Sequence, residues 1–146
     1  MKRIIKLLAI ATVAMAGLQS CEKNDSYIDA ALLPDVAQNF LSTYYESVAI
    51  QSVMKDYDDL SYTYDVRLAD GTHIEFRKNG EWKQVENRGE GVADSIIPAK
   101  IADYLTTNYP NNFVIDIERD RHFDVELNNG LELEFGLDGD FIRIDR

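Results

Sequence analysis

From Tyr64 onward the chain alternates apolar and polar positions. Tyr64, Val66 and Leu68 are separated by polar residues, and so are Thr72, Ile74 and Phe76; this is the period of a strand with one buried face. If Asp70-Gly71 were a two-residue turn, Leu68 would oppose His73 and the apolar faces would disagree. A three-residue loop, Ala69-Asp70-Gly71 with Gly71 left-handed, sets Leu68 opposite Thr72, Val66 opposite Ile74 and Tyr64 opposite Phe76, so every apolar residue shares one face. The same rule at Lys78-Asn79-Gly80 sets Phe76 opposite Trp82, and at Leu137-Asp138-Gly139 it sets Phe135 opposite Phe141. Gly71, Gly80, Gly130 and Gly139 are read as turn formers.

Two stretches switch to helical period. Leu33, Val36, Ala37, Phe40, Leu41, Tyr44 and Tyr45 form one apolar stripe, and Ile97, Ile101, Tyr104, Leu105 and Tyr109 form another. Pro34 and Pro98 stand at the starts, where a missing N–H costs nothing. Asp94 or Ser95 is expected to cap the second helix, and Pro110 to end it. A strand should follow each helix, at residues 50–55 and 114–119. In both, the apolar residues stand three apart, Ile50/Val53 and Val114/Ile117, which a bulge would reconcile with one buried face.

The chain writes this plan twice. Residues 33–56 match 97–120 at an offset of 64, and residues 64–85 match 123–144 at an offset of 59. Identities include Pro34/Pro98, Leu41/Leu105, Asp65/Asp124, Val66/Val125, Glu75/Glu134, Phe76/Phe135 and Gly80/Gly139. The expected fold is α+β: two helix-strand-strand-strand repeats, at about 32–86 and 96–146, sharing an antiparallel sheet of about six strands. Both helices should lie on one face of it. Residues 30–146 would be a single domain, and two repeats are too few for a solenoid.

The first twenty residues lie outside this plan. Lys2, Arg3 and Lys6 precede an uncharged, mostly apolar run of twelve, residues 7–18, the layout of a secretory signal peptide and too short for a permanent span. Leu18-Gln19-Ser20-Cys21 then resembles the bacterial lipoprotein box, with Gln19 a departure from its commonest form. Cys21 is the only cysteine, so no intrachain disulfide can form, and its expected role is lipidation. Residues 21–29 would be a polar tether. Removal of residues 1–20 leaves 12 basic residues against 26 acidic and a net charge of −14. Such a field repels nucleic acid and anionic headgroups and favours basic partners or cations, so contact with a membrane is expected through the lipid alone.

The segments LPDVAQNFLSTYY and IPAKIADYLTTNYP, each leading to Y/F-D-V-x-L-x-x-G-x-x-x-E-F and a D/N-G turn, resemble the PepSY-like lipoproteins, a family similar in fold to beta-lactamase-inhibitor protein. The resemblance spans about residues 30–146. It implies a tandem-repeat α+β fold outside the inner membrane and a likeness to peptidase propeptide and inhibitor modules, with no catalytic residues to carry over. Glu46 stands where the family usually has proline after the helix.

Candidate chemistry comes from register and from asymmetry. On the outward face Asp65 should oppose Glu75, Glu126 oppose Glu132, and Asp124 oppose Glu134, while Arg67 meets His73. Opposed like charges destabilise a sheet, so this face either awaits a basic partner or is an ordinary solvated surface. Tyr57, Asp58, Asp59, Leu60 and Tyr62 fall in a seven-residue stretch, 57–63, where the second half has only Arg121 and His122. This stretch reads as a binding loop or as a longer hairpin tip. Calcium-loop fragments at residues 56–59 and 138–140 lack the other ligand positions of an EF-hand. No nucleophile elbow, zinc spacing or cofactor motif is present, so no metal or cofactor is expected.

The expected function is a non-enzymatic, lipid-anchored module that binds or inhibits a protein or peptide, basic in charge by complementarity, at the periplasmic side or surface of the outer membrane. A Ca²⁺ or cationic-ligand sensor is the alternative, and a hydrolase a third. Expressed in a Gram-negative host, the protein should sediment with membranes and take up labelled fatty acid, and Cys21→Ser should release it to the soluble fraction.

Overall fold

A computed structural model of the protein describes residues 25–58 and 60–145, with Asp58 described by its backbone alone. Cys21, the leader, Asp59 and Arg146 lie outside these described residues. A nine-stranded antiparallel sheet, its strands in strict chain order, carries two helices. The elements are β1 (Ser26–Tyr27), α1 (Asp35–Tyr44), β2 (Ile50–Asp58), β3 (Ser61–Leu68), β4 (His73–Arg77) and β5 (Trp82–Glu86), followed by α2 (Ala99–Asn108), β6 (Val114–Arg119), β7 (Phe123–Leu127), β8 (Glu132–Phe135) and β9 (Phe141–Asp145).

The expected count of about six strands is corrected to nine, because four strands, not three, follow each helix. Each helix is followed by three hairpins in succession, and three hairpins need four strands. The ninth comes from the expected tether: Ser26 and Tyr27 pair with Lys55 and Met54, and Asp29 caps a short 3-10 turn at Ala30–Leu32. The second helix starts later than expected. Asp94 and Ser95 belong to a separate 3-10 turn, Asp94–Ile96, and Pro98 occupies the cap position with no side-chain hydrogen bond.

The hairpin registers agree with the alternation. Tyr64 pairs with Phe76, Val66 with Ile74, Phe76 with Trp82, and Phe135 with Phe141. Register shifts occur at Ile50/Ser52 and at Val114/Asp116, where the three-apart spacing called for a bulge. The inner face reads across the sheet as Val53, Val66, Ile74, Val85, Ile117, Val125 and Leu133, every one at most 3% exposed. Both helices pack on this face. Phe40 meets Phe76 edge to face at 5.5 Å, and Tyr104 meets Phe135 at 5.4 Å. Ala37 and Ile101, both fully buried, bring the helix backbones into one core cluster with the strands. Val36 and Tyr44, on the flank of the first apolar stripe, stay exposed at 51% and 39%.

One close approach fixes α1 on the sheet. Gly80, at φ +86°, turns the β4–β5 hairpin, and a Cβ there would lie 2.8 Å from the Pro34 Cβ and 3.1 Å from the Ala37 N. Gly71 has the same left-handed backbone, at φ +88°, but open space around it. In urea unfolding, Gly71→Ala should cost about 1 kcal/mol from backbone strain alone. Gly80→Ala should cost measurably more, because α1 must also move. Equal costs would mean that the helix is not held there.

Candidate functional site: the open acidic face of the sheet

With both helices on one side, the other face of the sheet is covered by no element among the described residues. Strand alternation fills it with the polar half of every strand, and pairing aligns those residues into two rows. The first runs Met54, Asp65, Glu75, Gln84, Glu118, Asp124, Glu134 and Arg143. The second runs Ser52, Arg67, His73, Glu86, Asp116, Glu126, Glu132 and Asp145. Five consecutive strands, β5 to β9, thus contribute five carboxylates in an unbroken line, Glu86-Asp116-Glu126-Glu132-Asp145. Neighbouring strands are about 4.8 Å apart, and each directly opposed like-charge pair costs roughly 0.2–1 kcal/mol.

The opposed pairs expected within the β3–β4 and β7–β8 hairpins are present: Asp65 with Glu75, Glu126 with Glu132, Asp124 with Glu134, and Arg67 with His73. Basic side chains offset part of their repulsion. His73 Nε2 lies 2.7 Å from Asp65, and its Nδ1 is 3.8 Å from Glu86. Lys83 donates to Glu75 at 3.2 Å and stands 3.7 Å from Glu118. Arg88 bridges Glu86 and Glu126, the latter at 3.0 Å, passing over the strand that carries Asp116. Arg143 donates from Nε to Glu134 at 2.6 Å. Among the described residues, Glu132 forms no ion pair, although it stands between Glu126 and Asp145.

Asp116 is the carboxylate of the row that burial shifts most clearly. Burial pushes its carboxyl up from 3.8 to about 6; Glu86 and Glu126 add to the shift, while the Gln84 amide, at 2.8 and 3.0 Å, and Arg88 oppose it. His73 is raised above its ordinary 6.5, chiefly by the Asp65 carboxylate with a smaller push from Glu86, against burial and Arg67.

His122, Asp124 and Glu134 bring one ligand atom each within 4.8 Å of the others. This trio is a poor calcium site. It supplies a nitrogen donor where calcium takes six to eight oxygens, and the Arg143 guanidinium already neutralises Glu134. His122 and Asp124 line a shallow depression of about 480 Å³ with Asp116, Glu118, Glu126, Glu132 and Asp145.

Of the two readings of the stretch, the longer hairpin is the one found: Tyr57 and Asp58 end β2, and residues 61–63 begin β3. Tyr57 pairs with Tyr62 and Asp58 with Ser61, and Leu60 is fully exposed. Tyr62 follows Tyr64 and Val66 on the helix side, with its ring 5.5 Å from Tyr57 and Lys55 Nζ 3.7 Å above it. The structure therefore separates the candidates into two groups. Asp65, Arg67, His73, Glu75, Asp124, Glu126, Glu132 and Glu134 share the open face, whereas Tyr57 and Tyr62 belong to the opposite one. Asp59 lies outside the described residues.

Sequence reasoning missed Glu86, Asp116, Glu118, Lys83, Arg88, Arg143 and Asp145. The polar alternation of Gln84 and Glu86, and of Asp116 and Glu118, is the signal that could have placed the outward residues of β5 and β6. No local signal showed that β5 pairs with β6 across a connection containing α2.

The fold and face define a class: an α+β scaffold with one open antiparallel sheet, helices on one side and a charged, uncovered surface on the other. The family model described as "Putative beta-lactamase-inhibitor-like, PepSY-like" matches residues 62–143, and the chain belongs to that family. Three solved structures are similar. A "putative calcium-regulated periplasmic protein" of Bacteroides thetaiotaomicron is 36% identical, with 84% of this chain and 97% of that one covered and a TM-score of 0.80. A "putative periplasmic protein from DUF2874 family" of Bacteroides vulgatus is 33% identical over 84% and 98%, with a TM-score of 0.79. A further B. vulgatus periplasmic protein, described as of unknown function, is 30% identical over 84% and 99%, with a TM-score of 0.79. No curated protein matches the chain. Nothing in the family's description or in these relatives' descriptions indicates an enzyme.

The two shifted groups set a pH dependence of the same sign. Asp116 titrates higher in the fold than in the unfolded chain, so its contribution is greatest when protonated and falls as pH rises from about 3.8 through about 6. His73, raised by its partners, contributes fully below 6.5 and loses that contribution as pH rises through its folded value. The melting temperature should therefore fall from mildly acidic to alkaline pH. Asp116→Asn should flatten the lower part of that slope and His73→Gln the upper part.

Proposed function

We propose that this protein is a non-enzymatic, lipid-anchored module of the bacterial envelope that holds a basic protein or peptide segment on the open face of its sheet. One observation carries the reading: the line of five carboxylates, which costs the isolated fold free energy and which a partner's lysines and arginines would neutralise. Opposed unlike charges stabilise a sheet and opposed like charges destabilise it, and a local rule broken at this length is expected where a surface serves binding. The exported, anchored address rests on the signal layout and Cys21, and the periplasmic descriptions of the relatives support export. The inhibitor-like description of the family supports a binding role. We read the two halves as copies of one unit, which would explain why both carry acidic outward rows.

Calcium binding is the second reading. It is favoured by the unpaired Glu132 between two other carboxylates and by the description of the B. thetaiotaomicron relative as calcium-regulated. The oxygen donors of this row suit calcium better than the His122 trio does.

Crosslinking in the native envelope tests the first reading. A partner should be captured at low salt, weakened at high salt, lost in the Glu126→Lys/Glu132→Lys variant and retained in Tyr57→Ala/Tyr62→Ala, with melting curves confirming that each variant folds. Undiminished capture by the charge-reversed face would sink it. Calorimetric titration with millimolar Ca²⁺ tests the second: heat, and a rise in melting temperature lost in Glu132→Gln, would support it.

A further inference from the structure

A strictly sequential sheet has two edges, and this protein protects only one. At the first edge β1 pairs with β2, the Ile28 N–H donates to the Val53 carbonyl, and the Tyr57 N–H donates to the Asp25 carboxylate. At the other, all five residues of β9 are exposed, and no described residue pairs with its outer side. Alternate residues of an antiparallel edge strand turn their N–H and C=O groups away from the sheet. The usual guards of such an edge are prolines, inward charges, bulges or a covering loop. Here the one bulge lies at the hairpin end, between Phe141 and Arg143, and leaves Arg143, Ile144 and Asp145 in regular pairing with β8. The charges are also drawn back onto the sheet, as Arg143 bonds Glu134 and Asp145.

The side chains at this edge are unfinished rows. On the helix side Ile144 continues the apolar row beyond Leu133, yet it is 43% exposed, and Ile142 beside it is 51% exposed. On the open side Asp145 ends the five-carboxylate line next to the unpaired Glu132. Phe141 is anchored by a parallel stack on Tyr104, with ring centroids 4.7 Å apart, so the strand is held in place without a tenth neighbour.

We propose that β9 receives an added strand: an extended segment of a partner protein in which basic and apolar residues alternate. An apolar side chain would lie beside Ile144 on the helix side, and a lysine or arginine would lie beside Asp145 and Glu132 on the open face. Backbone hydrogen bonds would supply affinity and the alternation would supply selection. A second copy of this chain fits poorly, because each copy carries a net charge of −11, or −14 without residues 1–20, and edge-to-edge pairing would abut two acidic faces. The proposal rests on the reading that the partner is basic, and adds where it docks and in what conformation.

The test uses a labelled, end-capped peptide alternating lysine with valine, the same peptide N-methylated at every residue, and a peptide of the same composition with its lysines and valines in two blocks. Fluorescence anisotropy gives affinity, and amide hydrogen exchange locates the contact. The alternating peptide should bind and slow exchange in β9. Methylation or blocking should weaken binding by at least about tenfold, and Ile144→Lys, a change at an exposed position, should do the same without lowering the melting temperature. Equal binding of the methylated peptide, or protection confined to other strands, overturns strand addition. If Glu126→Lys/Glu132→Lys still abolishes that binding, capture on the acidic face survives alone. No binding by the alternating peptide, or a concentration-dependent dimer that protects β9, also overturns the proposal.

Discussion

Strand alternation around one buried row governs this molecule. Val53, Val66, Ile74, Val85, Ile117, Val125 and Leu133 are shielded by two helices on a single side. Once those positions face inward, every intervening residue must face out. The acidic composition is thereby sorted, not scattered: carboxylates drawn from separate strands are forced into register on the uncovered face. The core and the candidate site are two readings of the same alternation, and neither can slip by one residue without inverting the other.

The face is only partly balanced. Lys83, Arg88 and Arg143 each serve two carboxylates, His73 adds to the arginine partners of Asp65 and Glu86, and His122 reaches Asp124 and Glu134. Exposed pairs of this kind contribute little each. At Asp116 burial, with a smaller push from Glu86 and Glu126, raises the carboxyl to about 6. A partner bringing positive charge would relieve the whole row at once, which is the physical link between this surface and a binding role.

Local chemistry was legible in the sequence. The three-residue loops, the left-handed glycines, the bulges after each helix and the opposed pairs Asp65/Glu75 and Glu126/Glu132 all follow from spacing. Non-local pairing was not. Nothing near Gln84 or Asp116 shows that their strands meet, because the pairing is set by how α2 and its connections fold back onto the sheet. The stretch around Tyr57 admitted two readings, a binding loop and a longer hairpin tip with Tyr62 continuing the core row, and the second is the one found. Tyrosines among aspartates suit a loop by composition, but alternation with Tyr62 and Tyr64 extends the hairpin instead and carries the rings to the helix side.

The central claim is that the uncovered face stores electrostatic repulsion that the fold tolerates for the sake of a partner. Urea unfolding at neutral pH across a sodium chloride series measures it directly. Glu132→Gln/Asp145→Asn should be more stable than the wild type at low salt, with the difference closing as salt screens the row. A control that removes two exposed carboxylates from the helix side, Glu46→Gln/Asp103→Asn, should gain less. If the face variant is no more stable than the wild type at low salt, or the control gains as much, the row holds no special strain and the account fails.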